Sequence, residues 1–275
     1  MKIGIVGDIG FFGKYSLENN PQAMDQFSEM ADYLSSFDYG VGNLEVPFID
    51  GLKAYGAKSA HVSSHPMNIQ LLKSLHFTHV CLANNHVYDF AQAGVDATIA
   101  ELEGAGIEHF GFDGKTVTIE DAKIELHGYC LYTTNPYGLS QGVNRLDVKQ
   151  ITDVMKTFDK AGYLNIVGSH MGLEHVNIPA YHDIKMARQL AEDASYVLYG
   201  HHPHVLQGIE QYKSSLLAYS LGNFCFDDVY TDKSDKPLIK QSDNNKTSVV
   251  LSLEVEAGKL IDWSVTPFYA KDDKL

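Results

Sequence analysis

The sequence is poor in cysteine, in basic residues and in long apolar runs. Its three cysteines, Cys81, Cys130 and Cys225, form no CxxC and leave one unpaired in any disulfide scheme; a reducing compartment fits them better than an oxidising one. Only 21 Lys and Arg stand against 35 Asp and Glu, a formal charge of −14. That balance argues against nucleic acid or anionic lipid as a partner, because either would add like-charge repulsion. No stretch reaches the ~18 consecutive apolar residues of a membrane helix, so no membrane segment is expected. The opening MKIGIVGDIGFFGK has neither the long apolar core nor the small-residue cleavage site of a secretory signal; the expectation is a cytoplasmic chain. There is no internal repeat, low-complexity tract or Pro/Gly linker, and the 275 residues are read as one domain, 1–275. Nucleotide and serine-hydrolase motifs are missing too. Gly7-Asp8-Ile9-Gly10 lacks the P-loop lysine and the third glycine of a dinucleotide fingerprint, and Gly168-Ser169-His170 lacks a nucleophile elbow.

What is present is apolar material for a core, 44% of residues with 11% aromatic, arranged as short runs alternating with amphipathic segments. The pattern predicts strands at Lys2 to Gly7, Tyr39 to Val46, His79 to Ala83, Thr116 to Glu120, Lys123 to Tyr132, Asn165 to Ser169, Tyr196 to Tyr199 and Ser215 to Leu221. Helices are predicted at Pro21 to Ser36, Pro66 to Leu75, Ala93 to Gly104, Asp147 to Ala161 and Asp183 to Asp193. Thr247 to Glu256 and Lys259 to Tyr269 read as a hairpin turning at Ala257-Gly258. The result is a mixed layered α/β domain with antiparallel strands late in the chain. Asp227 to Lys246, polar and poor in apolar anchors, is expected to be a mobile loop, placed to act as a lid.

Of thirteen histidines, six fall in three short segments that begin where predicted strands run out: Ala83-Asn84-Asn85-His86 with Asp89, His170 to His175, and His201-His202-Pro203-His204. Two more strands end in Gly7-Asp8 and Gly42-Asn43-Leu44-Glu45. The carboxyl ends of strands line the ligand crevice of open α/β sheets, so five polar clusters converge on one rim. Imidazole nitrogen with carboxylate oxygen suits a divalent cation; two ions ~3.5 to 4 Å apart would need a bridging carboxylate, which either Glu45 or Asp8 could supply. His202 and His204, at i and i+2, share a face of an extended segment stiffened by Pro203. His175, His182 and His201 are read as flanking groups. The remaining histidines, His61, His65, His76, His79, His109 and His127, lack partners at ligand spacing, and the cysteines read as packed thiols.

In order, Gly7-Asp8, Gly42-Asn43-Leu44-Glu45-Val46-Pro47, Ala83-Asn84-Asn85-His86-x-x-Asp89, His170-Met171-Gly172-x-Glu174, Gly200-His201-His202-Pro203-His204-Val205-x-Gln207 and Tyr219-Ser220-Leu221-Gly222-Asn223-Phe224 resemble the bacterial capsule-synthesis family of CapA and PgsA, the poly-γ-glutamate biosynthesis proteins. That family is similar to the calcineurin-like metallophosphoesterases. The resemblance implies a four-layered α/β/β/α sandwich and a metal site built from Asp8, Glu45, Asn85, His170, His202 and His204, holding one or two ions of Mn, Fe or Zn. It makes His86 a general acid oriented by Asp89, and places Asn43, Asn84, Glu174, His201 and Asn223 around the ligands or against substrate. Gly10 stands where the superfamily keeps a histidine, and Asn43 where it keeps its bridging aspartate. The implied activity is metal-dependent hydrolysis of a phosphoester or another anionic small molecule or polymer; the alternative is an accessory protein that binds an anionic polymer without cleaving it.

Overall fold

The computed structural model describes residues 1–132, 142–231 and 234–270. Two sheets dominate. In the first, β1 (Lys2–Ile9), β2 (Tyr39–Leu44), β3 (Phe77–Cys81) and β4 (Glu108–Phe110) lie parallel in that order. In the second, β5 (Val117–Ile119) and β6 (Ile124–Cys130) form a hairpin, and β6, β7 (Leu164–His170), β8 (Tyr196–His201) and β10 (Ser215–Ala218) run parallel, with β9 (Ile209–Tyr212) on the outer edge. The chain then returns to the first sheet. β11 (Asn223–Cys225) pairs with the end of β1; β12 (Val229–Thr231) and β13 (Ser234–Ile239) make a separate ribbon; β14 (Thr247–Glu256) and β15 (Lys259–Tyr269) close the first sheet on its other side.

Alternation along each strand creates the layers. In the second sheet Ile166, Val197, Tyr199 and Leu216 enter the same core as Ile3, Ile5 and Val41 of the first, while their neighbours Val167, Leu198 and Leu217 face the other way. These meet Ile151 and Met155 of α5 (Val148–Lys160) and Ala187 and Leu190 of α6 (Tyr181–Asp193). On the far side of the first sheet lie α1 (Ala23–Gln26), α2 (Ser28–Leu34), α3 (Ile69–Ser74) and α4 (Ala91–Ala105), which contribute Met30, Leu34, Leu71, Leu72, Val95 and Leu102. The architecture is the expected α/β/β/α sandwich. No described helix is long and apolar enough to cross a membrane.

Some elements depart from expectation. The helix predicted over Pro21 to Ser36 divides into α1 and α2 at Phe27, whose φ of −103° and ψ of 6° leave the helical range as its ring packs edge-on against Phe11. α5 begins within a residue of its expected start, where Asp147 caps it by accepting from the Gln150 amide at 3.0 Å. β4, β9, β11, β12 and β13 are strands that the sequence pattern does not announce. Residues 227–246, read as a mobile loop, carry in their described part the β12–β13 ribbon and α7 (Asp243–Lys246), whose N-terminus is closed by a Ser242–Asn245 capping box.

Candidate metal centre

The parallel strands of both sheets end on one rim, and register brings the polar residues together. Asp8 pairs with Asn43 on β2 and with Asn223 on β11; His170 pairs with His201 across β7 and β8. Backbone approach is close here: a Cβ on Gly7 would lie 1.9 Å from the Gly222 carbonyl oxygen, and one on Gly200 1.8 Å from that of Tyr219. His202 and His204 both adopt left-handed backbone, φ 101° and 57°. Their convergence therefore comes from a sharp bend and not from a shared face of an extended segment. The bend sets the His202 amide 3.0 Å from Asp8 Oδ2, to which it donates.

Asp8, Asn43, Glu45, Asn84, His170, His201 and His202 are almost wholly buried. Asn43 donates its amide to Asp8 Oδ1 at 2.7 Å, and Asn84 donates to Asn43 Oδ1 and the Leu44 carbonyl at 3.2 and 2.9 Å. Three groups of donor atoms lie within 4.8 Å of one another: Asp8, His170 and His201; Glu45, His170 and His202; Asp8, Glu45 and His204. His170 Nε2 is 2.9 Å from Asn85 Oδ1, 3.0 Å from His202 Nδ1 and 3.9 Å from Glu45 Oε1. His204 Nδ1 is 3.5 Å from Asp8 Oδ2 and 2.8 Å from Asn223 Oδ1, and its Nε2 is 3.7 Å from Glu45 Oε1. His201, read as a flanking group, has Nδ1 2.7 Å from His170 Nδ1 and 3.9 Å from Asp8 Oδ1.

Glu45 is the anomaly. Neither of its oxygens receives a hydrogen bond although both are buried, and the nearest imidazole nitrogens stand beyond hydrogen-bond reach; only by taking up a proton can it pair, donating to Asp8. An orphaned carboxylate facing imidazole nitrogens at 3.7 and 3.9 Å is what a donor set turned towards one cation looks like, and the residues present fit a divalent ion.

Electrostatics point the same way. Burial, then the charge of Asp8, pushes the Glu45 carboxyl well above its usual range. Burial also works to raise Asp8, but His204, His201, Glu45 and the His202 amide outweigh it and hold that carboxyl low. Burial, reinforced by neighbouring imidazoles, drives His170 far down; it takes His201 down to about 4 and His202 to about 3. Without a cation, Asp8 is ionised beside a neutral Glu45 and neutral His170, His201 and His202.

Beside this cluster lies His86. Its Nδ1 is 2.7 Å from Asp89 Oδ2; burial lowers His86 while Asp89 pulls it back up. Asp89 also accepts from the Val62 amide at 2.9 Å. Glu174 is exposed, and its charge adds to those that raise Glu45. Three neighbours carry no sequence signal. Lys58 reaches in from the β2–α3 connection to Asp89 Oδ1 at 2.7 Å, the Tyr132 ring lies 4.4 Å from that of His202, and Asn245 of α7 donates to the His204 carbonyl at 3.0 Å. Most of the histidines without ligand spacing have local partners, as with His65 at the Met67 amide and His127 at Asn165.

Two sheets back to back under outer helices, with a His/Asp/Asn cluster on the strand ends, define the metallophosphoesterase-type fold. The solved structure of a 5′-nucleotidase from Candida albicans SC5314 shares it, with a TM-score of 0.52 at 12% identity over 99% of this chain and 52% of that one. Within that class the chain belongs to the bacterial capsule synthesis protein family PGA_cap, which matches residues 2–228. It is 28% identical over 254 residues to the capsule biosynthesis protein CapA of Bacillus anthracis, covering 84% of this chain and 62% of that protein. It is 28% identical over 261 residues to the PGA biosynthesis protein CapA of Bacillus subtilis (strain 168), covering 87% and 67%. The chain thus spans about two thirds of these relatives.

Proposed function

We propose that this protein is a metal-dependent hydrolase of an anionic substrate, a phosphoester first, working in capsule or poly-γ-glutamate metabolism, with residues 1–275 as one domain around one site. The observation that carries the reading is Glu45, fully buried with no hydrogen-bond donor at either oxygen and facing Asp8, His170 and His204. The names of the Bacillus relatives support the link to an anionic polymer. Asp8, Glu45, Asn85, His170, His202 and His204 would hold one or two ions of Mn, Fe or Zn, with His201 behind His170. Such an ion, when bound, neutralises charge on the substrate and polarises the oxygen it meets.

The chain's own groups do the rest. Asp89 accepts the hydrogen of His86 Nδ1, which fixes the ring and leaves Nε2 to give or take the substrate's proton. Asn43, held by Asn84, fixes the Asp8 carboxylate through its amide. The rings of Phe226 and Tyr132, 4.7 Å from His204 and 4.4 Å from His202, keep water from the imidazoles.

Protein purified without chelator is expected to carry roughly stoichiometric metal by elemental analysis, and His204→Ala to lose both metal and turnover of an aryl phosphate. Full activity in that variant would overturn the reading. A second reading, an accessory protein that binds an anionic chain without cleaving it, is favoured by Asn43, which offers Asp8 an amide where a second carboxylate would help hold two ions. Bound metal with no hydrolysis across a phosphoester panel, and copurification with a ligase or membrane partner, would select it.

A further inference from the structure

The site carries negative charge. Asp8 and Asp89 line it as carboxylates, Glu45 joins them once a cation displaces its proton, Glu174 lies near, and the whole chain carries −14. An anionic substrate entering such a cleft meets repulsion unless fixed positive charge is placed for it. Among the ion pairs of the described residues, Lys58–Asp89 is the one that sets a lysine or arginine against this cluster. The β2–α3 connection is bent round Asp89 to put it there: Asp89 takes the Val62 amide on Oδ2 and the Tyr55 amide on its backbone carbonyl, at 2.9 and 2.8 Å.

The ammonium of Lys58 has three hydrogens to place. One goes to Asp89 Oδ1 at 2.7 Å and one to the Asn85 carbonyl at 2.8 Å. Its third close neighbour is His86 Nδ1 at 3.0 Å. A lone pair on that nitrogen would repel the Asp89 carboxylate 2.7 Å away, so it carries its hydrogen towards Asp89 Oδ2 and has no lone pair left for Lys58. Two acceptors therefore face three hydrogens, and the side chain is 30% exposed. The unpaired N–H sits next to His86 and to Asn85, between the proton-handling group and the cation ligands.

We infer that Lys58 is the anion-binding residue of this site, giving its third N–H to an oxyanion oxygen of the substrate, phosphoryl or carboxylate, alongside His86. The inference rests on the reading of the cluster as a cation site that handles anions. A charge-assisted hydrogen bond of this kind changes affinity about tenfold or more when removed.

The test is titration calorimetry on the full chain, Mn-loaded and metal-free, with inorganic phosphate in one arm and a γ-linked glutamate trimer in the other. Lys58→Met is expected to keep the wild-type metal content and to weaken whichever oxyanion binds by about tenfold or more, with Lys58→Arg staying near wild type. Should Lys58→Met lose its fold, Lys58→Gln gives the same comparison. The arm that responds tells phosphoryl from carboxylate. Equal affinity in wild type and Lys58→Met, or no binding of either probe to Mn-loaded wild type, overturns the assignment whatever the metal content. Protein that takes up no metal yet binds oxyanion in a Lys58-dependent way would instead sink the cation reading and leave Lys58 in place.

Discussion

A buried carboxylate with neither oxygen paired costs about 1–3 kcal/mol, and without a cation Glu45 escapes it only by taking up a proton and donating to Asp8. Its raised carboxyl means that a cation must displace a proton, so uptake weakens as pH falls. Glu45→Gln removes the charge at nearly constant shape. It is expected to cut metal retention at least tenfold while raising the melting temperature of the metal-free protein by about 2–4 °C, read by elemental analysis and calorimetry; a lower metal-free melting temperature would show that the cluster accommodates Glu45 without cost when no cation is bound. Much of the residue-level picture was legible, because Asp8, Asn85, His170 and His202 each stand where an apolar run stops. The place of His201 was less so: it ends β8 one residue before the left-handed His202, and spacing cannot foresee that turn. Lys58 was not legible at all, since Tyr55-Gly56-Ala57-Lys58 has no pattern and its role appears only when the connection folds round Asp89.

At the scale of elements, the site depends on strands that approach more closely than side chains permit. β11 slots beside β1 because Gly7 leaves room for the Gly222 carbonyl, and Gly222 itself turns at φ 74°. Gly7→Ala would drive a methyl against backbone that cannot swing aside, and is expected to cost about 3 kcal/mol or more in denaturant unfolding; a loss under about 1 kcal/mol would mean that β11 is free to shift. Most of the alternation of strand and helix from β1 to β8 could be read because each element carries its own period; the three-residue β4, held by pairing with β3, could not. β11 and the β12–β13 ribbon could not. They are short, and β11 exists through pairing with β1 and through Asn223 bonds to Gln241 and the Asn245 carbonyl, all long-range contacts that local pattern does not encode. The break at Phe27 has the same origin, a ring claimed by Phe11 across the core.

For the molecule as a whole, burying so many imidazoles couples stability to pH. His170, His201 and His202 are all held below their usual value of 6.5 by burial, His202 to about 3, and His86 is lowered too. Unfolded, each would take up a proton near pH 6.5. The unfolded chain therefore binds more protons than the folded one between about pH 6.5 and 4, and stability is complete above that window and lost as pH falls through it. Asp8 and Asp89, held low, lose their contribution only below 3.8, outside the window. Glu45, held high, has the opposite sign: its contribution is present below 4.5 and lost as pH rises, so it blunts the gain at neutral pH without reversing it. Metal-free protein is expected to melt about 10 °C lower at pH 4.5 than at pH 7.5, and His202→Gln to lessen that difference, with the other buried imidazoles, His79 and His127 at about 4 among them, keeping the rest. A profile that stays level between those pH values would mean that the imidazoles titrate freely in the folded state, and the packed cluster on the strand ends would have to be abandoned.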